Sequence, residues 1–292
     1  MMTRNKMMCL ASKWDGHTHT ELCPHGSGDK TATMIEKAID LGFTDYSLTE
    51  HAPLPKTFLS SYAGDREGYE TASLTWEQVE AYLALAQDLQ RAYKKQIHIH
   101  IGFELDYLAG FESDRQDFLK RFASHIEDLI VSVHFLPDEK GQFWCLDYSI
   151  EECQKGFASY LAMPNRLIAA YYQAVYEAVQ MKGSFPKSCR LGHLDLIKKY
   201  QDYWQWPRLG AMNPLESKEA HSLIGKILDK AKERQWGLDL NMAGLYKPYC
   251  NDSYPSAYIL QEARKRGVPL VYGSDAHSLG NVGHAYYMYE RI

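Results

Sequence analysis

Short apolar segments ending in histidine or a carboxylate recur along this chain, each followed by a stretch with helical spacing, about seven times in all. That alternation limits the fold more tightly than any single motif. Ile97 to Glu104 shows it in its simplest form. Ile97, Ile99, Ile101 and Phe103 face one way and His98, His100, Gly102 and Glu104 the other, the period-2 pattern of a strand. Strands alternating with helices imply a parallel sheet or barrel of the α/β class. The 292 residues lie within the range of one such barrel. No shift in composition marks a linker and no internal repeat is present, so residues 1–292 are expected to form a single domain, with 1–13 as a loose leader.

Helices are expected over Thr31–Leu41, Trp76–Lys95, Asp114–Ile126, Glu151–Ala162, Asn165–Lys182, Leu215–Gln235 and Ser253–Arg266, with glycine stops such as Gly42 and Gly267. Strands are expected over Phe43–Leu48, Ile97–Glu104, Leu129–His134, Ser188–Gly192, Trp236–Asn241 and Val268–Tyr272, after a first strand around His17 and His19. Residues 56–74, 136–148 and 202–214 read as long loops, which in compact domains are often functional.

The formal net charge is −5 and no Lys/Arg block is present, so no nucleic-acid partner is expected. Six cysteines are scattered without a Cys-x-x-Cys pair. This argues against a zinc ribbon or thioredoxin-type site and for reduced thiols in a cytoplasmic protein. No apolar run approaches the ~18 residues of a membrane span, and Met7–Ala11 is too short for most secretory signals. A protein with no membrane partner is expected, its oligomeric state left open.

The chemistry begins at Trp14-Asp15-Gly16-His17-Thr18-His19. Imidazoles two residues apart on a strand share a face, and Pro24, Gly26 and Gly28 place His25 on the loop beyond. Imidazole is the commonest protein metal ligand, yet one His-x-His pair reads equally well as polar strand residues. The set decides. His17, His19, His51, Glu104, His134, His193, Asp275 and His277 each close an expected strand, and seven of the twelve histidines lie at or just past strand ends. In α/β barrels chemistry sits at the C-terminal ends of strands, so these side chains share one mouth. Mixed imidazole and carboxylate ligands suit Zn, Fe or Mn. His98 and His100 share a face with Glu104 but lie on the order of 13–20 Å down the strand, where packing or hydrogen bonding is expected. His125, His221 and His284 are expected to be solvated.

Together these motifs resemble the PHP superfamily (polymerase and histidinol phosphatase), and within it the histidinol-phosphate phosphatase branch. The resemblance covers most of the chain. It rests on Asp-Gly-His17-x-His19 with His25, Thr-Glu50-His51, Gly102-Phe-Glu104-x-Asp-Tyr, Ser132-Val-His134-Phe, Gly192-His193-x-Asp195 and Gly273-Ser-Asp275-x-His277. It implies a distorted (β/α)7 barrel with a trinuclear divalent metal site of Zn, Fe or Mn. The resemblance gives His17, His19, Glu104 and Asp275 to one metal. It gives Glu104, as a bridge, with His134 and His193 to a second, and His25, His51 and His277 to a third. All nine positions are present. The implied activity is hydrolysis of L-histidinol phosphate to L-histidinol and phosphate in histidine biosynthesis. Alternatives are a PHP phosphoesterase acting on another small phosphorylated metabolite or nucleotide, and a non-catalytic PHP module. Nine intact ligand positions speak against the latter.

The implied mechanism is metal-assisted: bound metals bring the pKa of a water to about 7 and grip phosphate oxygens. The alkoxide leaving group needs a proton or a metal, and Asp15 and Asp195 are the candidate side chains for proton transfer. Arg166 and Arg190 are the candidate phosphate fork. Arg190 precedes the strand end at His193, and Arg166 starts a nearby helix. Asp106, Tyr107, Glu112 and Trp144 are candidates to cover the mouth, and Asn241 to support a ligand.

Overall fold

Among the described residues nine strands form in chain order: β1 (Trp14–Asp15), β2 (Asp45–His51), β3 (His98–Asp106), β4 (Asp128–Ser132), β5 (Phe135–Pro137), β6 (Phe143–Cys145), β7 (Ser188–Leu191), β8 (Gly237–Asn241) and β9 (Leu270–Gly273). They belong to a computed structural model that describes residues 12–291. Seven of them make one parallel sheet in the order β1-β2-β3-β4-β7-β8-β9. The sheet curls so that its last strand returns to its first. Gly16 N donates to Tyr272 O at 2.8 Å, Asp275 N to His17 O at 2.8 Å and His19 N to Ala276 O at 3.0 Å. The result is a nearly closed α/β barrel, as the alternation of strands and helices requires.

Each crossover is an amphipathic helix whose apolar face covers the sheet. Pro164–Val179 buries Leu167, Ile168, Tyr171, Tyr172 and Val175. Lys218–Glu233 buries Leu223, Ile224, Ile227 and Leu228, and Ser217 caps it by accepting from Ala220 N. No helix among the described residues is long and apolar enough to cross a membrane.

Register sets the height of each functional side chain. His51 on β2 pairs with Glu104 on β3, and Asp106 pairs with Ser132 on β4. The ends of β2, β3 and β4 therefore finish in one layer.

Several expectations shift. Residues 136–148 are not all loop, because β5 and β6 pair antiparallel, with Phe135 opposite Cys145. Loops 56–74 and 202–214 contain helical turns at Phe58–Ser60, Arg66–Glu70 and Trp206–Met212. The helix expected over Glu151–Ala162 is two pieces, Ile150–Gly156 and Ala158–Leu161. The helix expected from Leu215 begins at Lys218, since Asn213 first caps a separate turn, Pro214–Glu216. The helix expected from Ser253 begins at Ala257, because Tyr254 is held by a bridge to Asn241. Residues 1–11 of the expected leader lie outside the described residues; Ser12 and Lys13 are tied to Asp45 and Thr44.

Candidate metal centre

Glu104 lies on the inward face of β3, two residues before its end, with its carboxylate buried. Ser132 Oγ donates to Oε1 at 2.6 Å. That oxygen lies 2.8 Å from His193 Nε2 and 3.6 Å from His134 Nε2. The other oxygen lies 3.2 Å from His17 Nε2 and 3.6 Å from His19 Nε2. Glu104 thus reaches two histidine groups with its two oxygens. Asp275 joins the His17 and His19 side, with Oδ1 3.6 Å from His17 Nε2 and 3.3 Å from His19 Nε2. Three sets of side chains bring ligand atoms within 4.8 Å of one another at the mouth: His17, His19 and Asp275; Glu104, His134 and His193; and His19, Cys23, His51 and His277. His25 joins the last set, with Nε2 2.9 Å from His277 Nε2.

On five of these rings the second nitrogen explains the orientation. His17 Nδ1 donates to Asp239 Oδ2 at 2.7 Å, His19 Nδ1 to Glu50 Oε1 at 3.2 Å and His134 Nδ1 to Asp106 Oδ1 at 2.8 Å. His25 Nδ1 donates to Thr71 O at 2.7 Å and His277 Nδ1 to Asp275 O at 2.9 Å. A proton on Nδ1 leaves a neutral ring with a bare lone pair on Nε2. Those lone pairs face one another or face carboxylate oxygens. The His25 and His277 pair is the sharpest case, because a backbone carbonyl can only accept. Two lone pairs 2.9 Å apart repel unless a proton or a cation lies between them. Buried His19 Nε2 and His51 Nε2 have no hydrogen-bond partner at all. Carboxylates backing metal-bound histidines are the usual outer support of a metal centre, and this nitrogen and oxygen donor set fits divalent cations.

The charges agree. Burial alone would raise Glu104, but His17, His51 and His134 hold its carboxyl well below the usual range. Burial lowers His17, and Glu104, Asp239 and Asp275 more than reverse it, holding the ring well above its ordinary value. Burial and the neighbouring His19 keep His51 well below the ordinary value, hence neutral. Without a cation, protons on His17 and His19 are what balance this negative cluster.

Above the centre lies a cavity of about 320 Å³, within the size range of small-molecule sites. Asp106, Asp147, Tyr148, Lys199, Lys247 and Tyr254 contribute to its wall alongside the histidines. Lys199 Nζ donates to Asp147 Oδ2 at 3.1 Å, which holds Asp147 well below the usual carboxylate range against its burial.

All nine ligands expected by resemblance converge here. The other candidates are elsewhere. Arg190 is 1% exposed, with both Nη atoms on Asp128, at 2.6 and 2.8 Å, and Nη2 also donating to Gly16 O. Arg166 is exposed and pairs with Glu139 at 3.7 Å. Neither lines the cavity; its cations are Lys199 and Lys247. Asp15 is buried, accepts from Ser274 N at 2.9 Å, and burial pushes it up to about 7. Burial likewise pushes Asp195 up to about 6; it accepts from Ser256 N and lines a different cavity. Of the suggested mouth residues Asp106 lines the cavity, whereas Tyr107, Glu112 and Trp144 do not. Asn241 does support a ligand, with Nδ2 3.2 Å from Asp275 Oδ2. His100 hydrogen-bonds Asp45 at 3.0 Å on the barrel floor, while the His98 side chain is 65% exposed. His125 is exposed; His221 and His284 are half-buried against Tyr258 and Tyr246.

Sequence reasoning missed Asp239, Glu50 and Cys23. Asp239 and Asn241 alternate on β8, so Asp239 was findable once Asn241 was chosen. Glu50 sits inside a recognised motif. Cys23 reads as an ordinary thiol until the loop folds. Hydrogen bonds from His19, His25 and His277 overcome its burial and bring the thiol down to about 5.

A barrel whose strand ends bring imidazoles and carboxylates together, in arrangements that suit divalent cations, beneath a small cavity defines a class, the metal-dependent hydrolytic β/α barrels. Comparison with known proteins narrows it: residues 15–243 match the PHP domain family and residues 259–292 the PHP-associated family. The chain belongs to the PHP domain family. A histidinol-phosphatase of Bacillus subtilis is 33% identical over 94% of this chain and 97% of its own length. A Listeria monocytogenes crystal structure, named as a histidinol phosphatase, superposes with a TM-score of 0.88 at 36% identity, covering 95% of this chain and 100% of that one. At 17% identity and a TM-score of 0.65, a histidinol phosphate phosphatase from Lactococcus lactis, solved with zinc, L-histidinol and phosphate, shares the fold over 96% of this chain and 93% of its own.

Proposed function

We propose that this protein is a phosphoric monoester hydrolase that cleaves L-histidinol phosphate to L-histidinol and inorganic phosphate. One observation carries the reading: the Nε2 atoms of His17, His25, His134 and His277 turn into the mouth, each ring fixed by an acceptor on its own Nδ1. His17, His19, Glu104 and Asp275 would hold one cation, Glu104, His134 and His193 a second, and His25, His51 and His277 a third. Zn, Fe and Mn all suit these ligands. When bound, the cations supply Lewis acidity and a water of lowered pKa.

The chain's own residues do the rest. Asp239, Glu50 and Asp106 keep the rings in one tautomer and one direction. Lys199 and Lys247 bring positive charge to the cavity that receives a phosphate dianion. Asp106 and Asp147 give carboxylates to the amine and imidazole of the substrate. Hydrolysis breaks the P–O bond, with water adding to phosphorus and the alcohol leaving with a proton. The whole chain is read as one catalytic domain, because barrel strands run from Trp14 to Gly273. The five described cysteines are free, which supports a reducing, cytoplasmic setting.

A phosphate-release panel tests the reading. Histidinol phosphate should be preferred over nucleotides and sugar phosphates, and equal turnover of the panel would refute the assignment. His134→Ala and Asp275→Asn should abolish turnover in protein that remains folded; full activity in either would refute the ligand set.

A further inference from the structure

Cys23 stands out among the side chains that the reaction as proposed leaves unused. It is 6% exposed and sits between His19 and His25 on the segment that follows β1, which ends at Asp15 and not, as expected, around His17 and His19. Three backbone hydrogen bonds shape that loop. Cys23 N donates to Thr20 O at 3.0 Å, Gly26 N to Cys23 O at 3.1 Å and Ser27 N to His277 O at 2.9 Å. A Cβ on Gly26 would stand 3.2 Å from Cys23 Cβ, so the bare glycine lets the turn close. The turn carries Sγ inward, to within 4.8 Å of ligand atoms of His19, His51 and His277. An independent observation marks this point as a ligand position: His51 Nε2 is buried there without a hydrogen-bond partner.

We infer that Cys23 is a ligand of the third cation, its thiolate sulfur completing the set of His25, His51 and His277. The inference rests on the metal centre proposed above and concerns only which atoms hold that cation. Three imidazole nitrogens and one thiolate are the donors of a closed zinc site, in contrast to catalytic sites that keep a position open. The two carboxylate-bearing sets suit harder cations, whereas a thiolate selects zinc and other thiophilic metals. The third cation then differs from its neighbours in kind. It pins the Cys23–His25 loop to His51 and His277 and borders the cavity.

X-ray absorption on the zinc-loaded wild-type protein tests this directly. A sulfur scatterer at about 2.3 Å is expected beside nitrogen and oxygen, and a shell of nitrogen and oxygen alone overturns the inference. Cobalt(II) loading gives a second reading, a thiolate-to-metal charge-transfer band in the near ultraviolet. Cys23→Ser should remove the sulfur signal and the band and lower bound metal by one cation per chain. Cys145→Ser, at the one described cysteine that lines the cavity, should keep both. Persistence of the signal in Cys23→Ser, or its loss in Cys145→Ser, also overturns the inference. Should Cys23→Ser fail to fold, the wild-type spectrum with Cys145→Ser decides. Metal content and phosphate release separate the two readings. A protein that takes up cations and releases phosphate without sulfur coordination refutes the Cys23 assignment alone. One that takes up no cation refutes the metal centre.

Discussion

Arg190 carries a full charge into the barrel interior, where Asp128 holds it bidentately. Ser47 and Ser188 donate to the remaining lone pairs of Asp128 at 2.6 Å each, and Trp14 lies against the guanidinium. Through Nη2 the arginine also grips Gly16 O, one residue before His17. The pair therefore anchors the segment just past β1 that presents His17 and His19. Breaking it leaves a buried charge unpaired, so Asp128→Ala should destabilise the protein by about 3–5 kcal/mol, read by urea unfolding. A loss below about 1 kcal/mol, the level of an exposed pair, would contradict the buried geometry. The pH dependence has a definite sign. Although burial opposes it, Arg190 lowers Asp128 below its ordinary 3.8. A depressed carboxylate stabilises the fold above its unfolded pKa and loses that contribution as pH falls through the folded value. Unfolding of metal-free wild type and Asp128→Asn should thus differ most at neutral pH and converge below about pH 4; a constant gap would refute the linkage. Arg190 was legible as a residue just before a strand end. Sequence could not show that its partner is on β4, one layer below the metal ligands, and so made it a phosphate contact.

Strand β3 reaches the metal layer only because it packs tightly beside β4 at Gly102. A Cβ there would run into Asp128 O and stand 3.2 Å from Asp128 Cβ. Gly102→Ala must push β3 and β4 apart two residues before Glu104. Overpacking of this kind costs about 1–3 kcal/mol, and it should cut turnover as well, because Glu104 touches both histidine groups. Thermal unfolding together with phosphate release checks it, and a variant with wild-type stability and rate would contradict the close approach. The long elements were legible from period alone. His98–Asp106 and Val79–Tyr93 fall close to their expected bounds, since alternation and a 3.6-residue stripe need no tertiary context. The hairpin of β5 and β6 was not: three residues per strand are too few for a period. Its position depends on contacts with Phe58, which is distant in sequence.

At the scale of the molecule, the barrel gathers buried carboxylates and imidazole lone pairs at its mouth with cations as their natural counter-charge. Cations that bind only the folded state stabilise it by about 2.7 kcal/mol at one hundred times Kd. For a domain of this size each kcal/mol corresponds to roughly 2 °C in Tm. Chelation should therefore lower Tm by several degrees, and zinc or manganese should restore it. An unchanged Tm in protein shown to have lost its metal would refute a buried centre. The sequence by itself determined the alternating architecture and the placing of candidate histidines and carboxylates at strand ends, because both follow from local periodicity and from where parallel strands stop. Only the tertiary structure decided which ligand atoms meet and which nitrogen each ring offers. It also separated the cavity's cations, Lys199 and Lys247, from the charge sealed beneath it, Arg190, and brought Cys23 to the histidines. Those outcomes depend on distances between elements far apart in the chain, and such distances are fixed by sheet register and barrel closure.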